Sequence, residues 1–134
     1  MSAASDYLEN ALLDHVLGGA TYTQPTTLYV GLFTGTPNTN LEAGTLTDEV
    51  SGGNYTRKAV TFSAASSGST SNSATVTFDT ATANWGTITS VAVMDSVTGG
   101  AGNVLFYGSV TASKTIESGD TFQIASGNLS ISLA

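Results

Sequence analysis

The residues able to do chemistry in this chain are few and widely spaced. His15 is the sole histidine, and no cysteine is present. Leu12 lies one turn before His15, and its neighbour Asp14 points elsewhere on a helix. No serine sits in the G-x-S-x-G turn that exposes a nucleophile. One imidazole without a partner base, acid or second ligand makes no catalytic or metal site. The densest acidic pair, Asp48–Glu49, and the isolated Asp95 and Asp120 lie in turn-rich stretches where Asp ordinarily bonds the backbone. No spacing favours two of these carboxylates as a glycosidase acid and base. The Gly99-Gly100-Ala101-Gly102 run lacks the strand, helix and lysine that a phosphate loop needs. Trp85, with Tyr55 and Tyr107, offers aromatic faces for a sugar, although a lone Trp at a strand entry more commonly packs in a core. The expectation is therefore no catalytic residue, no cofactor and no metal.

Charge points instead to a protein that meets other proteins. The 134 residues carry a net charge of −7, and Arg57, Lys58 and Lys114 are the only basic side chains. Nucleic-acid binding needs several clustered cations to neutralise phosphates, so that class of partner is not expected. Only 10% of residues are charged, while Ser, Thr, Gly and Ala dominate. The N-terminal stretch has no basic region before its apolar residues and is interrupted by Asp6, Glu9 and Asp14, unlike a secretory signal. No apolar run approaches the roughly 20 residues of a membrane span, and the lack of cysteine fits assembly in a reducing cytoplasm. The sequons at Asn54 and Asn128 are then chance matches.

The elements that would position these groups follow from periodicity. Asp6 as N-cap with Glu9 three residues on has capping-box spacing. Leu8, Ala11, Leu12 and Val16 recur at helical spacing, Leu13 and Leu17 widen the stripe, and Gly18-Gly19 supplies a left-handed stop. Thereafter the period falls to two. Residues 27–33 are apolar on both faces, as in a central strand covered on one side by the helix. Residues 34–54 are polar and turn-rich, with the length of a functional or mobile loop. Alternation then marks strands around 57–62, 74–78, 88–94, 104–110, 121–124 and 129–133, with 63–71 a Ser/Gly-rich linker or hairpin loop and 95–103 a turn. Short strands joined by Gly-rich turns predict one mainly β domain over 1–134. Its form is an antiparallel β-sandwich, jelly-roll or immunoglobulin-like, over 26–134, preceded by an arm and helix over 1–19. Val60, Phe62, Val76, Phe78, Ile88, Met94, Phe106, Phe122 and Ile131 occupy the apolar phase and are expected in one core, with Leu12 and Val16 capping it.

The segments SDYLENALLDHVLGG, PTTLYVGLFT, EVSGGNYTRKAVTF, NSATVTFDTATANWGTIT and NVLFYGSVTASKTIESGDTF resemble, in order and over nearly the whole chain, a family of small tailed-phage virion proteins. Members are described as capsid decoration (cement) or tail-fibre-like proteins. The resemblance implies a virion structural protein made in the host cytoplasm. The short chain without coiled-coil heptads leans towards cement on the outer capsid surface, bound to the major capsid protein as a homo-oligomer. The alternative is a tail fibre or appendage contacting other tail proteins or a host-surface glycan. Under the cement reading, the arm Met1–Ser5 and the loop 34–54 grip the partner. Ser2, Ser5, Asn38, Asn40, Asp48 and Glu49 are the contact residues, with Arg57 and Lys58 as polar anchors. Internal pairing of Arg57 and Lys58 with Asp48 and Glu49 is the competing account of those cations.

Overall fold

A computed structural model describes residues 3–133. In chain order the elements are β1 (Ala3–Ala4), α1 (Asp6–Leu17), β2 (Leu28–Thr34), α2 (Asn38–Glu42), β3 (Lys58–Val60), β4 (Ser69–Ser71), β5 (Val76–Thr77), β6 (Gly86–Met94), β7 (Val104–Ile116), β8 (Gln123–Ile124) and β9 (Ser130–Ser132). Five strands form one antiparallel sheet in the order β1-β7-β6-β2-β3, and β4–β9 and β5–β8 form two separate ribbons. The mainly β, antiparallel architecture with an N-terminal helix is as the sequence predicts.

The core lies on both faces of the sheet. On one, Val30, Leu32, Ile88, Val91 and Ile116 pack with Val76, Phe78 and Phe122 from and beside the β5–β8 ribbon. On the other, Phe33, Ala92, Met94 and Val104 pack under Leu41 of α2. Central β2 is accordingly apolar on both sides, but its second cover is α2 rather than α1. The N-terminal helix touches β7 and β1 instead.

Two β-bulges decide which side chains share a face. Phe33 pairs with Ser90 and Thr34 with Ile88, so Thr89 is an extra residue in β6. Met94 pairs with Val104 and Val93 with Phe106, so Leu105 is an extra residue in β7. Each extra residue inverts the alternation beyond it. Ile88 therefore joins Val91 instead of Ala92 and Met94, and Val104 parts from Phe106. The single core expected from strand phase is thus corrected. Met94 belongs to the smaller cluster, Phe106 is half-buried, and Ile131 is buried outside both clusters.

The helix also departs from expectation at its start and along its length. Ser5, not Asp6, is the N-cap: its Oγ accepts from the Leu8 N–H at 3.3 Å and donates to the Val104 carbonyl. A serine hydroxyl can serve both roles, which the Asp6 carboxylate cannot. Asp6 and Glu9 remain in the first turn, where the helix dipole favours them. Gly18, at φ +88°, terminates the helix in the left-handed region as its sequence implies. Leu8 is the buried residue of α1. Val16 is 74% exposed and caps no core.

Residues 34–54, read as a functional or partly mobile loop, are anchored to the sheet. Leu41 and Val50 are buried, Thr34 N–H bonds the Asp48 carbonyl at 3.0 Å, and Val50 N–H bonds the Leu32 carbonyl at 3.0 Å. The segment runs along the β2 edge that β3 leaves uncovered. Residues 63–71, read as a linker or hairpin loop, turn back as a hairpin at the Ser66–Ser69 bridge and supply β4.

Candidate functional site

The most concentrated set of ionisable groups is Glu49, Tyr55 and Arg57. β3 pairs with β2 only as far as Val30–Lys58, which leaves the Leu32 N–H without a ladder partner. The Tyr55 hydroxyl accepts from it at 3.0 Å and donates to Glu49 Oε2 at 2.6 Å. Arg57 Nε and Nη2 then donate to Glu49 Oε2 and Oε1, each at 2.7 Å, in the two-pronged geometry that a guanidinium favours. Arg57 Nη1 donates to the Ser96 and Ala101 carbonyls at 2.8 Å, and the Gly100 N–H donates to Glu49 Oε1 at 2.8 Å. The network ties residues 49–57 to the β6–β7 turn, with Arg57 and Glu49 side chains 0% and 3% exposed.

Close packing beneath the network has a sequence cause. A Cβ at position 31 would stand 3.0 Å from Glu49 Oε2 and 3.3 Å from the Tyr55 hydroxyl oxygen, so Gly31 makes room for the carboxylate. Burial pushes the Glu49 carboxyl up, yet the Arg57, Tyr55 and Gly100 hydrogen bonds and the Arg57 charge outweigh it and hold the group below its ordinary value. Burial, then the Glu49 charge and hydrogen bond, drive the Tyr55 hydroxyl upward. A carboxylate locked by a guanidinium and a phenol that stays protonated are poor bases at neutral pH. This arrangement is a brace.

The other expected contact residues are scattered. Ser2 lies outside the described residues. Ser5 is fully buried, and Ala3 and Ala4 pair with Tyr107 and Phe106, so this part of the arm is a sheet edge rather than a free grip. Asn38 bridges Ser109 (2.9 Å) and Ser90 (2.8 Å), while Asn40 Nδ2 donates to Asp48 at 2.9 Å. Lys58 pairs with Asp79 at 2.9 Å in a half-exposed bridge. Arg57 therefore pairs with Glu49 as the competing account allows, but Lys58 finds Asp79 rather than either expected carboxylate. The three aromatic residues form no common platform. Trp85 is buried with its Nε1 donating to the Gly53 carbonyl at 2.8 Å, Tyr55 lies parallel to Phe78 and edge-on to Trp85, and Tyr107 belongs to the other cluster. His15 is exposed and accepts the Tyr22 N–H at 3.1 Å. Among the described residues no three His, Cys, Asp or Glu side chains cluster to hold a metal, and no helix is long and apolar enough to cross a membrane.

Beside its exposed polar and acidic side chains, the protein also shows apolar surface. Leu13, Val16 and Leu17 of α1 are 58%, 74% and 78% exposed, and Leu133 is 58% exposed. The sequence carried a signal for this: α1 is apolar around more of its circumference than one buried stripe needs.

A mainly β protein whose most concentrated ionisable groups, Glu49, Tyr55 and Arg57, brace its own loops, and which exposes an apolar helix turn amid acidic and polar surface, has the make-up of a structural protein. The sequence matches the family described as Podophage GP4 fiber I protein gp80 over residues 3–132, so the chain belongs to that family and is a bacteriophage virion structural protein. A comparison with curated proteins found no match.

Proposed function

We propose that the protein is a non-enzymatic building block of the phage tail-fibre apparatus, joined to other tail proteins by protein–protein contacts. The match of residues 3–132 to a family described as a fibre protein carries this reading. The structure lends it support by burying two of the grips proposed for capsid attachment, Ser5 as a cap and Arg57 in an internal pair, while Asn38, Asn40, Asp48 and Lys58 stay partly exposed. A host-glycan role at Trp85 loses its basis for the same reason: the ring is in the core. Decoration of the head is the second reading, favoured because among the described residues no helix exceeds the 12 residues of α1, too short for a coiled-coil shaft.

Immunogold labelling of intact virions, together with fractionation of separately assembled heads and tails, tests the proposal. The expected result is label at the tail and co-sedimentation with tails at a copy number well below that of the coat subunit. Co-sedimentation with tail-less heads at a copy number close to the coat subunit's would replace the fibre reading with decoration.

A further inference from the structure

The last turn of α1 stands clear of the domain. Leu13, Val16 and Leu17 are each more than half exposed, and their i, i+3, i+4 spacing places them on one side of the helix. Three bulky aliphatic side chains together form a projecting apolar knob, unlike the single exposed hydrophobics common on any surface.

The same chain carries a matching hollow. An apolar groove of about 300 Å³ opens between the five-stranded sheet and the β4–β9 ribbon, lined by Leu28, Phe62, Val93, Phe106, Ile131 and Leu133 among others. None of its lining residues is charged. An apolar cavity of about 150 Å³ accommodates benzene, so this groove has room for two or three aliphatic side chains. Leu133 at its rim is 58% exposed and can close over an inserted group.

We infer that the Leu13–Val16–Leu17 knob of one copy inserts into this groove on a second copy. Knob and hollow are different surfaces, so the contact is head-to-tail. Each molecule engages one neighbour with its helix and offers its groove to another, and the array closes into a ring or extends as a filament. Charge is the opposing influence, because copies of net charge −7 repel at long range while the docking surfaces hold little charge of their own. Added salt should therefore strengthen the association. The inference holds whether the protein sits on tails or heads.

Sedimentation equilibrium of the purified full chain, from micromolar to millimolar concentration and at low and high salt, tests it with two variants. Val16→Asp combined with Leu17→Asp spoils the knob and leaves the groove intact; Leu133→Glu charges the groove rim and leaves the knob intact. All three positions are exposed, and thermal melting checks that each variant folds. Wild type should grow beyond dimer with concentration, and each variant alone should associate at least about tenfold more weakly, a difference of one decade in Kd. An equimolar mixture retains one intact knob and one intact groove, so it should form 1:1 heterodimers and stop there. A wild type that stays monomeric throughout overturns the inference. So does self-association that survives Leu133→Glu and that the mixture fails to restore, which would indicate a symmetric helix-to-helix contact.

Discussion

Removing the Arg57 guanidinium should be among the most damaging single changes in the molecule. Arg57→Ala deletes four hydrogen bonds of 2.7–2.8 Å: two to Glu49 and one each to the Ser96 and Ala101 carbonyls. It leaves the Glu49 carboxylate, 3% exposed, with only the Tyr55 hydroxyl and the Gly100 N–H to satisfy it. Breaking a buried pair from one side costs about 3–5 kcal/mol, mostly the penalty of the stranded charge. A domain of this size loses about 3–5 °C in Tm for each kcal/mol, so the melt should move by ten degrees or more. Urea titration read by tryptophan fluorescence measures the loss directly, because Trp85 bonds Gly53 within the loop that the network holds. The partner change Glu49→Gln should behave similarly, since it strands the cation. Replacing both by apolar residues should recover much of the loss, as the stranded charge is then absent. A loss below about 1 kcal/mol for Arg57→Ala, the range of an exposed pair, would refute the buried-brace reasoning.

Phe78→Ala, at a side chain 1% exposed against Tyr55 and Phe122, should cost about 3–5 kcal/mol in the same titration. Ser5→Ala removes the cap of α1 and leaves the Val104 carbonyl without that donor, and should cost about 1–2 kcal/mol. Stability should depend on pH at both ends. The lowered Glu49 value gives a contribution fully present above its ordinary 4.5 and lost as pH falls through the folded value, while the raised Tyr55 value gives one fully present below its ordinary 10.0 and lost as pH climbs beyond it. Melts taken from pH 2 to 12 should show both flanks, and Tyr55→Phe should flatten the alkaline one. His15→Ala, at an exposed position, should leave the melt within about 0.5 kcal/mol and particle assembly unchanged.

The features legible in the sequence were those set by local chemistry. α1 and its Gly18 stop follow from helical spacing and from the ease with which glycine takes positive φ. The strand around Val30 follows from a run apolar on both faces, and those around Val91 and Phe106 follow from alternation. What alternation hid was its own interruption. Thr89 and Leu105 look like ordinary strand residues, and only pairing with β2 and β6 makes them the extra residues that turn Ile88 and Val104 to other faces. The stretch 34–54 read as a loop because two buried anchors, Leu41 and Val50, are outnumbered by polar neighbours that bond one another, as Asn40 does with Asp48.

Arg57 and Lys58 show how two adjacent cations come to have separate partners within the chain. Adjacent residues at a strand start project to opposite sides, so two neighbouring cations need not share a partner. Arg57 turns to Glu49 and the 96–101 turn, Lys58 to Asp79. In a chain with three basic side chains against ten acidic ones, a cation has carboxylates of its own chain within reach, and Glu49 holds Arg57 in a two-pronged pair. The outward surface is left acidic and poor in donors of positive charge, which disfavours phosphate-bearing partners. On the inference drawn above, association depends on shape and apolar contact more than on ion pairs, with the exposed turn of α1 and the groove beside β9 as the two surfaces that meet.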